Sequence, residues 1–419
     1  MPPYHVSKTL FSIAVVAWCI NHATFSQAPS DCGNVRCAVI VAKIVAVPAP
    51  NAPTSKAVYA PLNNTSTQPG FRPANLSNAD AVAIYQEWKT GYVETCPNGS
   101  MRVKFDNAAE TVSEGIGYGM LLAAYHGDKS LFDGLWLYYK KHLDVNGLMD
   151  WKIEGCTQKR NGTFSATDGD LDVAAALVVA SKQWPLIGRY ATDATALIAK
   201  IKQFETTTAN GLNILKPGDA FGSANCTNAS YFSPAYYRLF AQNTPTDAAF
   251  WNKLATDTYT MLNANANTTT GLVSDWQKAD GTSGGAGCGM NCAFGGLRYS
   301  YDAARTAWRI MTDYLWWNTA TAQTYSDKVS DWVAGPLGGI AKVKDGFKQN
   351  GTVTGLYQNS TFIGAFAVGS MSKSQSRANN FAAAFKNLTS INDPNYFNKT
   401  LRSLYALTLT GNFWNPTQR

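Results

Sequence analysis

Polar and apolar positions along the chain fall into two regimes. Residues 29–69 show no period: APNAPTSKAVYAPLNNTSTQPG is rich in Pro, Ala, Asn and Thr and reads as a linker or loose arm, and CAVIVAKIVAVP just before it as a short strand or part of that arm. From about residue 78, apolar residues recur at the spacing of helices with one buried face, broken by Gly, Asn, Pro and Asp. The pattern predicts helices near 78–92, 110–126, 129–143, 169–183, 189–207, 231–243, 246–265, 297–316, 319–334, 355–370, 374–386 and 396–410. Ser77, Asp168, Ser230, Thr246, Asn318 and Asn395 stand where N-caps are expected. Strand-like alternation is scarce. About a dozen helices in one domain suit two layouts, paired helices closing into an inner and an outer ring or a solenoid, and no repeat period favours the solenoid.

Composition narrows the class. Of 419 residues, 45% are hydrophobic and only 15% charged, against roughly 25% charged in an average soluble domain. The surface is therefore rich in Asn, Thr, Ser, Gln and Gly, which suits neutral polar partners. The net charge of +7 comes without a Lys/Arg run, which argues against nucleic-acid binding. Residues 1–28 read as a secretory signal: Leu10–Ile20 is apolar but too short to span a bilayer, and Ser26-Gln27-Ala28 fits a cleavage site. A buried N-terminal strand is the alternative. No other segment has transmembrane length.

Export makes disulfides plausible among the cysteines left after Cys19 departs with the signal. Seven remain, an odd number. The spacings Cys32/Cys37 and Cys288/Cys292 suggest local loops, with a zinc site as the rival for the second pair. Twelve Asn-X-Ser/Thr sequons, from Asn63 to Asn398, can carry glycans in a eukaryotic secretory path.

Three stretches carry candidate chemistry. In TVSEGIGYGM (Thr111–Met120), Glu114 sits among glycines at the start of an apolar helix. It is either part of a capping box or a carboxyl group held in a cleft, where lost hydration raises its pKa. In ATDGDLDVAAALVVASKQW (Ala166–Trp184), Asp168, Asp170 and Asp172 alternate. An EF-hand lacks its glycine and closing glutamate here, and capping needs only one aspartate. Three so close repel one another unless they bind ligand hydroxyls or backbone N–H groups. In LRYSYDAARTAWRIMTDYLWW (Leu297–Trp317), Tyr301-Asp302 opens a helix and Arg305 follows one turn later, either as a structural ion pair or as the cation that keeps a general base ionised.

Together with SYFSPAYYRLFA (Ser230–Ala241) and GLMDWKI (Gly147–Ile153), these stretches resemble glycoside hydrolase family 8, in order over residues 78–412. Val173 stands where the family pattern has Ile or Met. The resemblance implies an all-α (α/α)6 barrel in residues 70–419, inverting hydrolysis of β-1,4-linked glycans and no cofactor or metal. It implies Glu114 as general acid, Asp302 as general base and Asp168 as the aspartate that grips the sugar at the cleavage point, with Asp170 the lesser candidate. Arg305 matches the arginine that supports the base, and Tyr301 belongs to the same Tyr-Asp motif. Trp151 looks like a sugar-stacking platform, and Tyr236, with Tyr237 as its rival, resembles a tyrosine near the attacking water.

The chemistry agrees with this: cleaving a glycosidic bond needs one protonated and one ionised carboxyl group, roughly 6.5–9.5 Å apart in an inverting enzyme. Trp136, Trp184, Trp251 and Trp308 read as core, and Trp276 as a second candidate platform. The expected protein is a secreted, monomeric endo-β-1,4-glucanase acting on cellulose-like or mixed-linkage polysaccharide. An endo-β-1,4-xylanase is the near rival; a chitosanase and a non-catalytic glycan-binding protein are weaker ones.

Overall fold

Why some helices of this chain are apolar all round and others on one side only is answered by their places in two rings. The structure is a computed structural model that describes Leu62 and residues 68–284 and 298–418. The expected signal (1–28), nearly all of the arm (29–69) and the pairs Cys32/Cys37 and Cys288/Cys292 lie outside the described residues.

Twelve long helices among the described residues alternate between the rings. The outer ones are α1 (Asn78–Tyr92), α3 (Lys129–Lys141), α5 (Arg189–Phe204), α7 (Ala248–Asn265), α9 (Ala320–Ala334) and α11 (Gln375–Lys386). The inner ones are α2 (Ser113–Tyr125), α4 (Thr167–Gln183), α6 (Pro234–Asn243), α8 (Thr306–Trp317), α10 (Ser360–Gly369) and α12 (Tyr396–Leu409). Each inner helix packs on the next in this order, and α12 closes the ring onto α2. The outer helices cover the seams, α1 against α12, α3 against α2 and α5 against α4. An inner helix is thus surrounded by protein, and α2, α4 and α10 are buried almost throughout. An outer helix has one wet side, and α5 buries only Tyr190, Ala194, Leu197, Ile198 and Ile201. Trp136, Trp184, Trp251 and Trp308 are core residues, as expected.

The predicted helices all form, most within three residues of their expected ends. The largest departure is 297–316, where a single helical turn, Tyr301–Ala304, precedes α8. Ser77 and Asn395 cap α1 and α12 through their side chains. Asp168 instead lies inside α4, whose cap is Ala166, and α6, α7 and α9 start after Ser233, Asp247 and Thr319. Asn318, expected to start α9, ends α8 in the left-handed region (φ 54°), which Asn tolerates. Short strands decorate the loops, among them an antiparallel sheet of β1 (Glu110–Val112), β2 (Asp150–Glu154) and β3 (Arg160–Ser165). Cys96, after α1, is joined to Cys156, between β2 and β3.

Glycines set the spacing of α2 and α4. A Cβ on Gly117 would lie 2.8 Å from the Gly169 carbonyl oxygen, and one on Gly169 would lie 2.7 Å from the Ser113 carbonyl carbon. What approaches each of these glycines is the neighbouring helix. Gly169→Ala is expected to force the helices apart and cost about 1–3 kcal/mol, whereas Gly91→Ala in α1, with open space at its Cβ, should be neutral or stabilise by up to about 1 kcal/mol. Urea unfolding of the two variants checks this.

Candidate active site

Four inner helices bring polar groups from their N-terminal ends to one place. Glu114 lies at the start of α2, Asp168 at the start of α4, Asp302 and Arg305 on the turn before α8, and Tyr396 opens α12. The first-turn Glu114 does not build a capping box: α2 starts from Val112 without a side-chain cap. Its carboxylate points instead at Arg305.

The buried Arg305 guanidinium joins the three carboxylates. One terminal nitrogen donates to Glu114 Oε2 (2.6 Å), Asp168 Oδ2 (2.8 Å) and the Tyr118 hydroxyl (3.1 Å). The other donates to Asp302 Oδ1 (2.8 Å) and Ser230 Oγ (2.9 Å). The Tyr396 hydroxyl donates to Glu114 Oε1 (2.9 Å), and Trp276 Nε1 donates to Asp302 Oδ2 (3.2 Å).

Three carboxylates around one cation cannot all be compensated. Burial pushes Glu114 up to about 7; Arg305 opposes the rise and the Asp168 charge reinforces it. Burial also raises Asp302, again against Arg305. A third of the Asp302 side chain is exposed, against 15% for Glu114. The arrangement thus holds a proton-retaining carboxyl group and a more solvated carboxylate on opposite arms of one guanidinium.

Both face a cleft of about 540 Å³ lined by Phe105, Asp106, Asp275, Tyr301, Asn395 and Phe397 among others. Tyr301 is partly exposed there, its hydroxyl donating to Asp345 Oδ2 (3.1 Å) and its ring edge-on to Phe397.

The alternating aspartates separate by helical phase. Asp168 and Asp172, four apart, meet Arg305 and Arg309, also four apart, and both Asp172 oxygens accept from Arg309 (2.5 and 2.6 Å). Asp170 points the other way. It is fully buried, accepts from the Tyr139 hydroxyl and shares its surroundings with Glu205, so its expected place as a sugar ligand is corrected to a structural one.

Other expectations are also revised. Asp168 is 3% exposed, with one oxygen on Arg305 and the other on the Gly169 amide, and it is not among the residues that line the cleft. Trp276 is nearly buried and offers Asp302 its N–H rather than a ring face to a sugar. Tyr236 packs 5.5 Å from the Arg309 guanidinium, and Tyr237, also on α6, donates its hydroxyl to the Tyr231 carbonyl just before that helix. Besides Tyr118 and Tyr396, a third tyrosine, Tyr231, stands beside the cluster: its ring lies 5.5 Å from Arg305 and its hydroxyl feels Asp168 and Asp302. Trp151, on β2, is 39% exposed and rests against Gly162, apart from the residues that line this cleft. Tyr231, Asp275 and Tyr396 were missed. The signal that could have found Tyr231 is its place just before the PAYY stretch.

Replacing Arg305 by Met leaves buried carboxylates without their cation. The expected cost is about 3–5 kcal/mol of folding stability, read from urea unfolding at pH 7.

The sequence profile of glycosyl hydrolases family 8 matches residues 69–411. The chain is 36% identical over 339 residues to Endoglucanase 2 of Ruminiclostridium josui, covering 79% of this chain and 71% of that protein. It is 35% identical to Endoglucanase C of Ruminiclostridium cellulolyticum, over 81% and 73% of the two chains. A solved beta-1,3-1,4-glucanase from Paenibacillus sp. X4 superposes with a TM-score of 0.76 at 29% identity, over 87% of this chain and all of that one.

Proposed function

This chain belongs to glycosyl hydrolases family 8 and is a glycoside hydrolase of the endoglucanase kind; we propose that it cleaves internal β-1,4 bonds of cellulose-like or mixed-linkage glucan with inversion, Glu114 serving as acid and Asp302 as base. The observation that carries this reading is the pair of carboxyl groups on opposite arms of the Arg305 guanidinium, one raised to about 7 and the other more exposed.

A glucan chain lies in the cleft with a glycosidic oxygen at Glu114. Glu114 gives its proton to that oxygen as the bond to the anomeric carbon breaks. A water on the far side of the sugar attacks the same carbon and passes a proton to Asp302. Glu114 leaves the step ionised, and Arg305 and the Tyr396 hydroxyl stabilise its new charge. Asp168 keeps the proton on Glu114 beforehand, because a second negative charge beside an ionised Glu114 is unfavourable. Tyr301 and Phe397 offer aromatic surface to pyranose faces.

We also infer export. The signal-like N-terminus and the Cys96–Cys156 disulfide fit an oxidising compartment, and no helix among the described residues is long and apolar enough to cross a membrane.

Reducing-sugar release from carboxymethyl-cellulose, barley mixed-linkage glucan, xylan and chitosan tests the substrate. Release from the glucans is expected; release from xylan alone moves the substrate to pentose chains. Glu114→Gln and Asp302→Asn should each lower kcat at least about 10³-fold with oligosaccharide binding retained, and proton NMR should show the inverted anomer first. An acid works only while protonated, so kcat/KM should fall as pH rises through about 7. Activity unchanged up to pH 9 would remove Glu114 from this role.

A further inference from the structure

The short turn that carries Asp302 has no cap of its own. Ser300 precedes it and makes no side-chain cap bond. The missing acceptor comes from elsewhere in the chain: Asp275 Oδ1 accepts the backbone N–H of Ser300 (2.9 Å) and of Ala303 (2.8 Å), the second being the amide next after Asp302. Asp275 is 96% buried yet borders the cleft. The next residue, Trp276, donates its indole N–H to Asp302 Oδ2. One dipeptide therefore grips the backbone of the Asp302 turn with its first side chain and the carboxylate with its second.

The dipeptide is itself fixed. The Asp275 amide donates to the Arg298 carbonyl (2.8 Å), and Ser274 Oγ donates to the Trp276 carbonyl (2.8 Å). Trp276-Gln277 pairs antiparallel with Thr227-Asn228, and Asn228 in turn orients Ser230, a partner of Arg305. Both Asp302 oxygens are thus held, one by Arg305 and one by Trp276, from segments locked to each other.

We propose that Asp275 is a positioning residue for the reaction: by accepting the two backbone N–H groups that flank Asp302, it fixes the direction in which the base carboxylate faces the attacking water. This rests on Asp302 being the base. The carboxyl group of Asp275 is pushed up to about 8 by burial and by the Asp302 charge, so near neutral pH it holds the turn as a neutral acceptor and adds little charge beside the base. An amide carbonyl supplies the same acceptor.

The test compares Asp275→Asn, Asp275→Ala, Trp276→Phe and Asp302→Asn on barley mixed-linkage glucan at pH 6, with thermal midpoints measured alongside. Asp275→Asn should keep kcat within about threefold of the parent. Asp275→Ala should lose kcat by roughly 10- to 100-fold with KM changed less than about threefold, because the turn is misaimed while the cleft is intact. Trp276→Phe, which keeps a ring but drops the N–H, should lower kcat in the same way. Parental kcat in Asp275→Ala, or equal losses in Asp275→Asn and Asp275→Ala, overturns the proposal. If Asp275→Ala fails to fold, loss of kcat in Asp275→Asn overturns it and retention with loss in Trp276→Phe supports it. Turnover retained in Asp302→Asn removes the underlying assignment of the base instead, so the two failures are distinguishable.

Discussion

Everything at the site depends on one buried cation surrounded by more negative charge than it can offset. The Arg305 guanidinium touches Glu114, Asp168 and Asp302. Had the chain supplied one carboxylate per arginine, as it does one turn further along with Arg309 and Asp172, the result would be a plain structural ion pair. The surplus is what gives the site chemistry. A proton remains on the carboxyl group where burial costs most, and the more solvated partner carries the charge. The two carboxyl groups proposed as acid and base thus differ by surroundings rather than by charge at neutral pH alone.

The barrel makes this charge cluster possible. Inner helices contribute residues from their N-terminal ends, where helix dipoles favour negative groups. The glycine contact between α2 and α4 brings Glu114 and Asp168 within reach of the same arginine nitrogen. A cluster so buried cannot lean on solvent for compensation. Its remaining polar partners, Tyr118, Ser230, Tyr396 and Trp276, are therefore drawn from segments spread over nearly three hundred residues of chain.

How much of this was legible in the sequence follows from how far each signal reaches. Helix positions came through because periodicity is local, whereas four of the six expected caps are displaced by competition at helix ends, as at Asn318, which closes one helix instead of opening the next. Glu114, Asp302 and Arg305 were legible from short motifs. The split among Asp168, Asp170 and Asp172 was available in principle, since residues two apart on a helix face opposite ways. Trp276 reads as no more than a candidate platform because sequence does not tell whether a ring or its N–H meets the cleft. Tyr396 and Asp275 reach Glu114 and Asp302 across long stretches of chain, and no local pattern announces such contacts.

The central claim is that burial, reinforced by the Asp168 charge and only partly opposed by Arg305, lets Glu114 keep its proton into the neutral range. The most direct measurement is a pH titration by carbon-13 NMR of protein labelled at the glutamate carboxyl carbons, with the Glu114→Gln variant to assign the signal. The account predicts a resonance that titrates near pH 7 and is absent from the variant. A Glu114 carboxyl group already ionised below pH 5 would contradict it.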